Sequence, residues 1–150
     1  MRRRTFLSVT ALSGVCVRAL GSAEADPWPA SQILDAPDLA RRISAGSPPS
    51  LLLYVGFPVL YRAAHIPGAI LAGPCSKPQG LADLHERLTG KARDSEIVLY
   101  CGCCPLAQCP NLQPAWTAVH ALGFTNLKVL RIPTNLHADW TAKGYPVEKS

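Results

Sequence analysis

Charged side chains are scarce in this 150-residue chain: 17% of it is Asp, Glu, Lys or Arg, against 48% hydrophobic residues. That balance excludes a disordered polyelectrolyte and leaves enough apolar material for one buried core. The basic excess, formally +5, is an amino-terminal feature: setting aside Arg2, Arg3, Arg4, Arg18 and Glu24 lowers it to +2. No basic stripe remains to track a nucleic acid. Long apolar runs are also missing. The run from Phe6 to Leu20 is too short to span a bilayer and carries Arg18, so no stable membrane anchor is expected. Internal repeats and low-complexity stretches are absent as well.

The first 25 residues have the order of an export signal: an arginine-rich start, an apolar stretch, then Ala23-Glu24-Ala25 as an A-x-A cleavage site. Arg3-Arg4-Thr5-Phe6-Leu7 matches the R-R-x-F-L core of twin-arginine signals, which carry folded bacterial proteins outward. An ordinary secretory signal rich in arginine would lead to the same compartment. Residues 1–25 are thus expected to be removed, leaving 26–150 as a single exported domain, periplasmic or extracellular. Val15 separates Leu12-Ser13-Gly14 from Cys16, which makes a poor lipoprotein site, so no lipid anchor is expected.

Of six cysteines, five remain after such cleavage: Cys75, Cys101, Cys103, Cys104 and Cys109. An odd number in an oxidising compartment leaves at least one sulfur free, modified, metal-bound or paired with another molecule. Cys101, Cys103, Cys104 and Cys109 crowd into nine residues with the spacing C-x-C-C-x4-C. Structural zinc sites instead repeat C-x2-C pairs at long range. The cluster follows the apolar Ile97-Val98-Leu99-Tyr100 and precedes a helical stretch. Backbone N–H groups and a helix dipole there favour a thiolate over a thiol.

The remaining periodicity alternates strands with helices. Strands are predicted over Gln32–Leu34, Leu51–Val55, Ile97–Tyr100 and Leu127–Ile132, with extended chain over His65–Ile70. Helices are predicted over Pro37–Ser44 with Asp35 as N-cap, Pro58–Ala63, Gly80–Leu88, Leu112–Leu122 before Gly123, and Ala138–Lys143 before Gly144. This alternation argues for an α/β fold with a parallel sheet covered on both faces, whose ligand site lies beyond the strand carboxyl ends. His65 reads as a structural turn residue, and His85, His120 and His137 have no metal-triad spacing. Trp28, Trp116 and Trp140 read as packing residues. Cys75 is a loop thiol within conceivable reach of the cluster.

Three stretches together resemble the rhodanese-like domain, the sulfurtransferase fold, over roughly residues 31–148. Tyr61 and His65-Ile66-Pro67-Gly68-Ala69 match the family's E-Y-x-x-G-H-I-P-G-A; Ile97 to Cys101 matches the strand that delivers its active cysteine; Trp140 and Gly144-Tyr145-Pro146-Val147 match its closing W-x-x-x-G-Y-P-V. The resemblance implies a three-layer fold and a persulfide mechanism. Cys101 would be the catalytic nucleophile, with Gly102, Cys103, Cys104, Leu106 and Cys109 in its active loop, a small sulfur-containing donor and a thiol acceptor as partners, and a Cys101 pKa below that of a free thiol.

The departures bear on chemistry. The family's C-x-x-x-x-R loop has Leu106 in place of arginine, no Arg occurs between Cys101 and Leu130, the loop region is about five residues longer, the family's D-V-R is Tyr54-Val55-Gly56, and its Gly-Gly after the last strand is Pro133-Thr134. A thiosulfate dianion loses its usual guanidinium partner. Three other readings stay open: dithiol redox chemistry between Cys101 and Cys103, Cys104 or Cys109; Cu(I), zinc or an iron–sulfur centre on Cys101, Cys103, Cys104 and Cys109; and a structural disulfide such as Cys104 to Cys109.

Overall fold

In the computed structural model, residues 26–150 are described; the stretch expected to be an export signal, with its twin-arginine pattern and Cys16, lies outside the described residues. Five short strands form the sheet: β1 Ile33–Asp35, β2 Leu51–Tyr54, β3 Ile70–Leu71, β4 Ile97–Tyr100 and β5 Leu127–Arg131. Their order is β1-β5-β4-β2-β3, every pair is parallel, and Leu53 and Tyr54 of β2 stand opposite Leu99 and Tyr100 of β4. The helices are α1 Ala36–Ser44, α2 Pro58–Ala63, α3 Pro78–Leu88, α4 Leu112–Ala121 and α5 Leu136–Asp139.

Side-chain alternation along the strands divides the core into two layers. Leu51, Leu53, Val55, Ile97, Leu99, Cys101, Leu127 and Val129 face Leu84 and Leu88 of α3 and Leu112, Ala115 and Val119 of α4. Leu52, Tyr54, Val98, Tyr100, Leu130 and Ile132 face Leu39 of α1, Ile66, Leu136 and Trp140. β2 and β4 are buried along their whole length, as continuous apolar runs require in a parallel sheet covered on both faces. Cys101 continues the odd-numbered alternation of β4, which aims its sulfur at the layer containing α4.

Several local expectations are refined. Asp35 makes no side-chain cap on α1; its carboxylate pairs with the Arg131 guanidinium at 3.1 Å. Helix α3 begins two residues before Gly80, because Pro78 suits the first turn. Of the predicted extended stretch His65–Ile70 only Ile70 joins the sheet, in β3 with Leu71, while His65 makes a lone antiparallel bridge to Glu148 and Pro67 and Gly68 turn the chain between them. The final predicted helix is α5 and a separate 3-10 turn over Thr141–Lys143, with Trp140 between them. Gly123 and Gly144 close their segments at positive φ as expected.

Candidate active site in the cysteine loop

Strands β2 and β4 are neighbours, yet the chain leaves β2 toward β3 and leaves β4 toward β5, in opposite directions across the sheet. Such a switch point opens a crevice beyond the strand carboxyl ends. Cys101, the residue after β4, lies there at 1% exposure. A cleft of about 540 Å³ opens above it, lined by Tyr54, Leu60, Ala63, Gly102, Cys103 and Leu136, with His137, Val147 and Lys149 also lining it.

The loop is folded tightly around sulfur. Gly102 adopts φ +73°, its carbonyl accepts the Leu136 N–H at 2.9 Å, and a Cβ on it would stand 2.9 Å from Leu136 Cβ. Only glycine fits both demands. The chain then passes Cys103 and Cys104, makes a 3-10 turn over Leu106–Gln108, and enters α4 through Cys109 and Asn111. Leu106, at the family's arginine position, turns inward at 4% exposure and joins the core.

Cys75, Cys101, Cys103, Cys104 and Cys109 are all free thiols, so the Cys104 to Cys109 staple is not formed. The Cys101 and Cys103 sulfurs are 3.0 Å apart, as are those of Cys103 and Cys104. The Cys101, Cys103 and Cys109 sulfurs all lie within 4.8 Å of one another, a triangle able to hold an ion. Cys104 touches this triangle only at its edge. Cys75 stays out, its S–H donating to the Ala72 carbonyl at 3.1 Å and its pKa pushed up to about 12 by burial.

Asn111 is a functional residue that sequence reasoning misses. Its side chain is fully buried, with Nδ2 donating to Cys101 Sγ at 3.5 Å and Oδ1 accepting the Ser76 N–H at 2.9 Å. Its only signal in the sequence is its place just before a helix, where an N-cap would be read; instead its amide leaves the cap vacant and serves the sulfur. Tyr54 enters the sequence reading only as a lost acidic residue, yet its buried hydroxyl has no hydrogen-bond partner among the described residues. Tyr54 Oη and Cys101 Sγ each lie 2.8 Å from the point where a side chain on Gly56 would begin. The missing side chain at residue 56 is what leaves hydroxyl and thiol facing a common space.

The electrostatics correct the expected Cys101 pKa. A thiolate forms first at Cys109, lowered to about 6 because the Cys101 thiol donates to it, with backbone N–H groups of Asn111 and Leu112 and the Cys104 thiol adding to this. The Cys101 pKa is raised, chiefly by its hydrogen bond to Cys109 and then by burial. Burial and its neighbour Cys103 raise Cys104 likewise. The low-pKa position is therefore the sulfur at the start of α4, as helix-terminus electrostatics favour.

His65 is structural: Nδ1–H donates to the Tyr61 carbonyl at 2.8 Å and the ring stacks on Tyr61. Trp28 and Trp140 are core residues, Trp140 donating its indole N–H to the Pro146 carbonyl at 2.7 Å, and Trp116 packs on Trp28. His137 alone of the other histidines lines the cleft. No described helix is long and apolar enough to cross a membrane.

The sequence pattern of the rhodanese-like domain runs through residues 35–131. The fold is similar to that of the BH2092 protein from Bacillus halodurans, with TM-score 0.62 and 24% identity over 79% of this chain and 77% of that one. It is also similar to the rhodanese-like domain of the Alr3790 protein from Anabaena sp, with TM-score 0.58 and 24% identity over 79% and 80% of the two chains. Protein hp1203 from Helicobacter pylori gives TM-score 0.55 and 16% identity over 79% and 90%. No curated protein matches the chain. The structural likenesses speak for the fold, the family pattern covers most of the sheet that carries Cys101, and on these grounds the chain belongs to the rhodanese-like domain family.

Proposed function

We propose that the protein is an exported sulfurtransferase that carries sulfane sulfur as a persulfide on Cys101. The observation that carries this reading is that Cys101 lines the switch-point cleft and its sulfur shares the space over Gly56 with an unpartnered tyrosine hydroxyl. Cys101 Sγ attacks the terminal sulfur of a donor persulfide R–S–SH. The donor's S–S bond breaks, Cys101–S–SH forms, and R–SH leaves with the proton that Cys101 gives up through Cys109. An acceptor thiol then takes the outer sulfur to become A–S–SH, the S–S bond at Cys101 breaks and the acceptor's proton returns Cys101 to its thiol form, with no net oxidation. Nδ2 of Asn111 steadies Cys101, and Tyr54 Oη–H supplies a donor to the second sulfur.

The cleft's composition points away from thiosulfate as donor. Leu60, Ala63, Leu136 and Val147 line it, and Lys149 is its one fixed cation among the described residues. A divalent inorganic anion is matched best by a bidentate guanidinium. A neutral or singly charged organic sulfane fits this wall better. Incubating reduced protein with an organic persulfide should add one sulfur to Cys101 in the intact mass, and Cys101→Ser should add none. Full sulfur loading of Cys101→Ser refutes the reading.

Dithiol chemistry is a second reading, favoured by the 3.0 Å separation of the Cys101 and Cys103 sulfurs. Attack of Cys103 on the inner sulfur of the persulfide would give a Cys101–Cys103 disulfide and hydrogen sulfide, and a dithiol reductant would restore both thiols. Sulfide release that stops in Cys103→Ser supports this branch.

A further inference from the structure

We propose that Cys101, Cys103 and Cys109 form a three-thiolate site for one Cu(I) ion, a function beyond sulfur transfer and tested separately from it. Three donors converge from three backbone positions: the end of β4, the turn after Gly102, and the approach to α4. A metal–thiolate bond of about 2.3 Å places three sulfurs about 4 Å apart around an ion in their plane. The observed triangle, with one edge of 3.0 Å and none above 4.8 Å, brackets that size.

The surroundings supply what thiolate ligands need. Asn111 Nδ2–H donates to Cys101 Sγ, and the first N–H groups of α4 point toward Cys109. Such outer contacts orient ligands and offset their negative charge. Leu106 and Leu112 pack in the same core layer as the buried Cys101 and Cys109, while half-buried Cys103 lines the cleft and leaves the ion a route in.

The donor set selects the metal. It is all thiolate, without a carboxylate or imidazole in the triangle, and soft ligands favour soft Cu(I). Structural zinc takes four ligands, and an iron–sulfur cluster is held by four cysteines. Cys104 lies outside the triangle and adjoins Cys103 in the chain, so a three-coordinate ion suits this geometry best.

The test is an anaerobic titration of the reduced protein with Cu(I) against bicinchoninate, with Zn(II) as comparator. The expected result is one Cu(I) per chain withdrawn from the chelator and retained in a tenfold molar excess of Zn(II). Cys103→Ser, a half-exposed position that should fold normally, and Cys109→Ser should each bind at least tenfold more weakly, while Cys75→Ala binds as the parent does. Circular dichroism confirms that each variant is folded. Failure to withdraw copper, undiminished affinity in both serine variants, or displacement by zinc overturns the proposal. Mass-detected persulfidation of copper-free protein is read independently: sulfur loading without copper affinity refutes the metal site alone, and copper affinity without loading refutes sulfur transfer alone.

Discussion

Asn111 joins Cys101 to a distant loop: its Nδ2 donates to the Cys101 sulfur at 3.5 Å while its Oδ1 accepts the Ser76 N–H at 2.9 Å. The Asn111 amide is fully buried, so deleting it takes one partner from the Ser76 N–H and leaves the Cys101 sulfur with its thiol neighbours alone. Asn111→Ala should therefore cost about 1–3 kcal/mol in urea unfolding. Asn111→Asp keeps the acceptor for Ser76 but sets a negative charge beside Cys101, and it should slow persulfide formation more than Asn111→Ala does. Equal rates in the two variants would show that the amide serves packing alone.

The reduced, metal-free protein should be most stable near pH 8.5. Cys109 has its pKa depressed to about 6 in the folded state, against about 8.5 unfolded. The stability it contributes is present above the unfolded value and is lost as pH falls through about 6. Cys75, pushed up to about 12, and Cys101 and Cys104, both raised, act in the opposite sense. Their contribution is present below the unfolded thiol pKa and is lost as pH rises toward their folded values. Thermal melts across this range should show both slopes, and Cys109→Ser should lose the slope near pH 6 and lessen the alkaline one, because Cys109 is the first cause of the raised Cys101 pKa.

Gly102 is tied to its conformation twice, by φ +73° and by the 2.9 Å that a Cβ would leave to Leu136. Gly102→Ala should cost at least the roughly 1–2 kcal/mol of a left-handed residue, lowering the melting temperature. The same strain displaces Cys103 from Cys101, so the rate of disulfide formation between them should fall. A melting temperature equal to the parent's contradicts this account.

The sheet was legible because its strands are continuous apolar runs and its helices carry proline starts and glycine stops, signals set by local chemistry. Cys101 was legible for the same reason: it ends the strongest such run. The titration order of the cluster was not, because it depends on which sulfur meets the N–H groups of α4, and loop closure brings Cys109 rather than Cys101 to them. Asn111 and Tyr54 were hidden for a related reason. An Asn before a helix reads as a cap and a Tyr in an apolar strand reads as core, and only the paired register of β2 with β4 turns Tyr54 toward the end of the strand that bears Cys101. Asp35 shows the converse, a capping residue by sequence that tertiary contact reassigned to Arg131.

Tyr54 offers the sharpest separation of structure from function. Its hydroxyl is buried, has no hydrogen-bond partner among the described residues, and has its pKa raised first by burial and then by the thiols around it. A buried polar group left unpaired costs stability, so Tyr54→Phe should be neutral or slightly stabilising in unfolding experiments. If that hydroxyl donates to the outer sulfur of a Cys101 persulfide, the same variant should transfer sulfur more slowly, by roughly tenfold for the loss of a hydrogen bond to a charged group of about 1.5 kcal/mol. Stability and turnover would then move in opposite directions in one substitution. A Tyr54→Phe protein that is less stable and transfers sulfur at the parent rate would assign the tyrosine to packing and remove it from the site.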